Sequence, residues 1–165
     1  MHLALTHVHS ILLWGLIATV ALTTIMQGSF GFGLSRLSLP LLAGTVCTGN
    51  RRWANILGVL IYVVVGWIFA YFYLVIFQGF GYANAWLGAL VGLAHGLFVL
   101  VVLLPLLPQF HPRMASEYDA PSEGRRLEPP GFLGMNYGVQ TPVVALIGHT
   151  TYGAILGAFL LVPSG

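Results

Sequence analysis

AWLGALVGLAHGLFVLVVLLPLL, residues 85–107, decides the fold. It holds no Asp, Glu, Lys or Arg, and about 20 mostly apolar residues suffice to cross a bilayer core as a helix. Its apolar positions run continuously rather than alternating, so a helix is expected and not a strand of a barrel. Three further stretches have the same character: residues 8–28, 54–77 and 141–162. The expected fold is therefore an all-α membrane protein with four transmembrane helices, forming one transmembrane domain over 1–165.

Composition agrees with that reading. Of the 165 residues, 58% are hydrophobic and 6% charged, against about 25% charged in an ordinary soluble domain. Such a chain lacks the polar residues to cover a globular surface and is solvated by lipid, its first expected partner. A formal charge of +2 with no basic stripe excludes nucleic acid. The one cysteine, Cys47, excludes an internal disulfide and a CxxC centre. The N-terminal MHLALTHVHSILLW has no basic residue before its apolar run, so the first helix is read as retained.

The connections differ in kind. Residues 29–53 carry Arg36, Arg51 and Arg52 around the apolar LSRLSLPLLAG (34–44), where a short interfacial helix is expected, broken or kinked at Pro40. Residues 78–84 read as a short uncharged turn. Residues 108–140 form the polar loop, with Arg113, Glu117, Asp119, Glu123, Arg125, Arg126 and Glu128 beside Pro112, Pro121, Pro129 and Pro130. With four spans, the two Arg-bearing connections share one side. The positive-inside rule places that side in the cytoplasm and both termini outside. Bacterial inner-membrane placement is expected.

The halves look alike. IYVVVGWIFA (61–70) aligns with GHTTYGAILG (148–157), pairing Tyr62 with His149 and Gly66 with Gly153. Two helix-pair repeats, related by an axis along the membrane normal, would give this pattern.

Several residues inside the spans are candidates for function. Gly88, Gly92 and Gly96 recur every four residues, as do Gly153 and Gly157, with His149 one turn earlier. Small residues on one face let helix backbones approach closely in lipid, so these glycines are assigned to packing, within the chain or against another subunit. Gly15, Thr19, Thr23 and Gln27 form a polar stripe on the first helix, read as internal packing ahead of a conduit. His95 and His149 are the ionisable groups within spans and hence the cofactor-binding candidates. Facing histidines of helix bundles ligate haem or another metal, yet counting rise along the expected spans sets these two about 7 Å apart in depth. A neutral histidine hydrogen-bonded to a Tyr, Thr or carbonyl on a neighbouring helix is preferred to a bound cofactor, with Tyr62 and Tyr152 as candidate partners. His7 and His9, near His2, and the pair His111 and Met114 are weaker metal candidates.

No phosphate loop, nucleophile elbow or HExxH motif occurs, and no catalytic residue is assigned. The layout resembles a group of small bacterial membrane proteins with no assigned activity. The resemblance rests on GLIATVALTTIM (15–26), SLPLLAG (38–44), LVVLLPLL (100–107) and PGFLGMNYGVQTPVVALIGHTTYGAILGAFL (130–160). It implies the fold and a bacterial inner membrane, and no chemistry. The leading expectation is a non-catalytic accessory or structural subunit of a respiratory or photosynthetic complex, meeting other membrane subunits or copies of itself. A haem- or metal-binding electron-transfer protein and a small channel or carrier are the alternatives.

Overall fold

The computed structural model describes residues 2–115 and 126–162, with side chains from His7 onward. Glu117, Asp119, Pro121, Glu123, Arg125 and the His2 side chain lie outside the described residues. The chain is an all-α membrane protein. Four helices are long and apolar enough to cross a bilayer: His7–Gly31, Arg51–Phe80, Ala85–Phe110 and Thr141–Phe159. The first begins as α1 at His2 (His2–Gly31) and the second is α3 (Arg51–Phe80). The third comprises α4 (Ala85–Phe98), a π turn (Val99–Leu103) and α5 (Leu104–Phe110). The fourth is α6 (Thr141–Phe159). The short α2 (Leu39–Cys47) lies between the first two.

The helices start where the sequence supplies caps. Asn84 Oδ1 accepts from Leu87 N at 2.8 Å ahead of α4, and Asn50 Oδ1 accepts from Arg52 and Trp53 N at 3.0 and 3.2 Å at the start of α3. Each satisfies backbone donors that the first turn leaves open. Pro40 does not break or kink α2. It sits in the first turn after the Ser38 cap, where a missing N–H is harmless and the fixed φ suits a helix.

The π turn comes just before Pro105, which also stands in the first turn of α5. Proline removes one i→i−4 bond and crowds the carbonyl four residues back. Widening the preceding turn is one way a continuous span absorbs that defect.

Two compact units divide the chain. The first comprises residues 1–25, 63–96 and 146–165, the second residues 26–62 and 97–145. In the first unit, α1 and α3 meet through small residues. Gly15 faces Trp67 and Ala70, and Gly66 lies against Thr19. Trp67 Nε1 donates to Leu12 O at 2.9 Å, and Trp14 stacks on Phe159 with ring centres 4.4 Å apart. Trp14 thus takes part in packing within the unit.

In the second unit, α2 lies on the first turns of α3 at backbone contact, Gly44 against Ala54 and Gly58 against Pro40. Arg113 caps α2 from the polar loop. Its Nη1 donates to Thr45 O at 2.7 Å and Val46 O at 2.9 Å, where a helix end leaves carbonyls open and negative. The segment 34–37 is tied to the end of the same loop. Arg36 N donates to Tyr137 O at 2.6 Å, Arg36 Nη2 to Asn136 O at 2.6 Å, and Ser35 Oγ lies 2.8 Å from Thr141 Oγ1. Two backbone bonds, Ala115 N to Leu127 O and Leu127 N to Arg113 O, join Arg113 and Ala115 to Leu127.

Candidate functional site

The glycine rows build the frame. Gly88 and Gly92 of α4 face Gly153 and Gly157 of α6 in antiparallel register, and Gly96 faces His149. A methyl group on Gly88 would lie 2.9 Å from the Gly157 Cα and would overlap the Gly153 carbonyl. Backbone therefore meets backbone, and only glycine allows it. The face of α4 considered for docking another subunit is occupied by α6.

This register brings the two histidines together. His95 stands ten residues into Ala85–Phe110, and His149 stands ten residues before the end of Thr141–Phe159. Their ring centres are 4.8 Å apart, at 75° to each other. The 7 Å depth difference expected from the sequence is corrected, because the span starting at Thr141 ends earlier than residue 162.

Aromatic side chains enclose the pair. Phe69 stacks on His95 at 4.1 Å. The Tyr73 hydroxyl lies 3.4 Å from His95 Nδ1, and the Tyr73 ring meets Tyr152 edge-on at 5.5 Å. Tyr152 OH donates to Gly66 O at 2.6 Å. Tyr73, Tyr152 and His149 are almost wholly buried, whereas His95 is half-buried. The tyrosine on His95 is thus Tyr73, which the sequence reading did not select. Tyr73 lies on α3 near the aligned stretch 61–70 but beyond it, so the repeat gave no cue to it. Tyr62 falls in the second unit.

The other candidates have structural partners. Thr19 Oγ1 donates to Gly15 O and Thr23 Oγ1 to Thr19 O, both at 2.7 Å. The stripe on α1 thereby bonds to its own backbone, and Gln27 Nε2 donates to Ser38 Oγ at 3.0 Å. His7 Nδ1 lies 3.2 Å from Leu161 O on a helix already formed at His2, while His9 is exposed. Two residues apart on a helix, His7 and His9 do not share a face.

His111 is buried in the second unit. Its Nε2 lies 3.2 Å from Thr45 Oγ1 and 3.1 Å from Leu42 O, and its Nδ1 accepts from Arg113 N at 3.2 Å. Nε2 holds α2 to the loop and Nδ1 orders the loop itself, while Met114 is buried beside the bridge at Leu127.

A haem with two axial imidazoles needs its macrocycle between the rings. His95 and His149 touch edge to face at 4.8 Å, so this arrangement does not fit such a haem. Among the described residues no group of three or more His, Cys, Asp or Glu side chains gathers for a metal. No known family, curated protein or solved structure matches the chain.

Proposed function

We propose that this protein is a non-catalytic structural subunit of a larger membrane complex, a respiratory or photosynthetic assembly of a bacterial inner membrane being the host its composition suits. One observation carries the reading. Among the described residues, no buried side-chain nitrogen or oxygen lacks a hydrogen-bond partner within the chain. The polar groups of the spans thus serve the protein's own packing. What the chain offers its surroundings is apolar and aromatic, such as Val59, Leu60, Val64, Ile68, Tyr71 and Phe72 along α3. Native mass spectrometry of the protein, extracted in mild detergent from its own host, tests this. Foreign subunits bound in fixed ratio are the expected result, and a chain found only alone or with itself overturns the reading.

Both termini belong on the non-cytoplasmic side in this proposal. Support comes from all six arginines falling between the first and second or the third and fourth spans. Reporter domains active on one side only, fused to either terminus, should read non-cytoplasmic; a cytoplasmic signal at either end refutes the orientation.

A further inference from the structure

We propose that the last part of the polar loop, residues 129–140, is a lipid-binding element that seats Phe132 and Val139 in the bilayer, at the boundary between headgroups and acyl chains. The sequence sets this stretch apart. PPGFLGMNYGVQ holds no Asp, Glu, Lys or Arg, so every charge of the loop comes before it. Its depth follows from one packing contact within the second unit. Residues Phe132–Tyr137 fold as tight turns, and a methyl group on Gly134 would lie 3.0 Å from Leu104 Cδ1 and 3.2 Å from Thr141 Cγ2. Leu104 stands six residues before the end of the span Ala85–Phe110, and Thr141 opens the next span. Six residues are about 9 Å of helix. The turns therefore lie beside the last part of one span and the start of the other, and not beyond their ends.

Irregular backbone is tolerated at membrane depth only where the protein itself satisfies its polar groups. Here the chain supplies the partners. Gly134 N donates to Gly131 O, Asn136 N to Pro130 O, Gly138 N to Met135 O and Thr141 N to Gly138 O, at 2.9–3.2 Å. Arg36 N donates to Tyr137 O. Three side chains complete the set. Tyr137 OH donates to Glu128 O at 2.6 Å, Asn136 Nδ2 to Pro129 O at 3.0 Å, and Arg36 Nη2 to Asn136 O at 2.6 Å. The carbonyls of 128–131 and 135–138 are thus all bonded within the protein, without water.

Phe132 and Val139 are left outside this network, 74% and 79% exposed. Leu133, next to Phe132, is the one described non-glycine residue at positive φ, 53°. A bulky residue keeps that conformation only where its surroundings impose it. The two exposed side chains continue an apolar surface already facing lipid: Val101, Leu106 and Phe110 of the third span and Val143 of the fourth are exposed as well. That continuity, the depth of the turns and the absence of charge name lipid as the occupant. Apolar side chains at this boundary gain by burial among the acyl chains, and two of them on a self-bonded loop would fix the depth of the spans they join.

The experiment uses the full chain with Cys47→Ser, because Cys47 is exposed and would take the label. The protein is reconstituted alone into vesicles of phosphatidylcholine and phosphatidylglycerol. Phe132→Cys and Val139→Cys, made singly, each carry a nitroxide. Arg126→Cys, at an exposed position before the stretch, gives the water reference, and Val101→Cys, on the third span, the lipid reference. Power saturation reads accessibility to oxygen, which concentrates in lipid, against a water-soluble nickel chelate. The oxygen-to-nickel ratio at 132 and 139 should exceed that at 126 and approach that at 101. A ratio at either position equal to that at 126 overturns the proposal; it is also the result expected of a surface kept for another protein subunit and left bare in the lone chain. Labels shielded from both reagents overturn it too, since they would be covered by protein. Should one labelled variant lose its helical circular dichroism, the other decides.

Discussion

Tyr152 shows what one hydroxyl does in a dry interior. Its OH donates to the Gly66 carbonyl at 2.6 Å, and its ring packs edge-on against Tyr73. Tyr152→Phe keeps the ring contacts and removes the bond. The expected loss is about 1 kcal/mol, the usual net worth of one buried hydrogen bond in water or membrane, measured by detergent-induced unfolding in mixed micelles. In the polar loop, Tyr137 donates to Glu128 O at 2.6 Å. Burial, then the nearby Glu128 carboxylate, push its phenol up to about 12, with Arg36 pulling the other way. A raised tyrosine means the fold favours the neutral phenol. Its contribution is therefore complete below the ordinary value of 10.0 and is lost as the pH climbs through about 12. Alkaline titration should show late phenolate absorbance that Tyr137→Phe reduces by one tyrosine. A step unchanged by that substitution would mean Tyr137 is exposed to water.

The antiparallel α4–α6 pair is where packing in lipid is most exacting. Hydrophobicity does not drive helices together there, so close backbone approach must. Gly92→Leu places a side chain where the His149 carbonyl and Thr150 Cα lie. It should destabilise the fold by about 3 kcal/mol, the upper range for overpacking. A methyl group added at Gly28 of α1 would meet nothing within 4 Å outside its own helix, so Gly28→Ala should be neutral or stabilising by up to about 1 kcal/mol. The same unfolding assay separates them, and equal effects would sink the seam.

How far the sequence speaks is clearest for these elements. The spacing of Gly88, Gly92, Gly96, Gly153 and Gly157 was visible, because periodicity marks a face. Which face it met was not, since packing partners depend on register and not on spacing. The four spans were legible from hydropathy because lipid imposes length and apolarity on any helix that crosses it. The π turn before Pro105 was not, because a hydropathy reading does not register a missing N–H. Tyr73 escaped for a related reason. Nothing local marks a tyrosine in an aromatic-rich helix as the partner of a histidine on the next one. Arg113 was legible as charge and illegible as the cap of α2, whose last carbonyls it reaches from far along the chain.

At the scale of the whole chain, the structural role of the arginines separates experimentally from the topological role proposed for them. Arg113 and Arg36 bond to backbone carbonyls of the second unit, so neutralising them combines a topological change with a structural one. Arg51 and Arg52 are exposed in the first turn of α3, and their backbone cap comes from Asn50, so their charge is free to be moved. Positive charge at the start of a helix also opposes its dipole by about 0.3–1 kcal/mol, a local penalty that orientation in the membrane would offset. Arg51→Gln with Arg52→Gln should therefore leave the fold intact, or stabilise it slightly, while weakening the charge bias that the proposed orientation rests on. Adding two lysines to the four-residue turn between α3 and α4 should then produce a mixed or inverted population, read by sided reporters at the termini. If the doubly altered chain still inserts in a single orientation identical to the parent, the remaining arginines around α2 and the polar loop hold the topology without Arg51 and Arg52. That result would shift the topological signal from the start of α3 to the loop whose contacts organise the second unit.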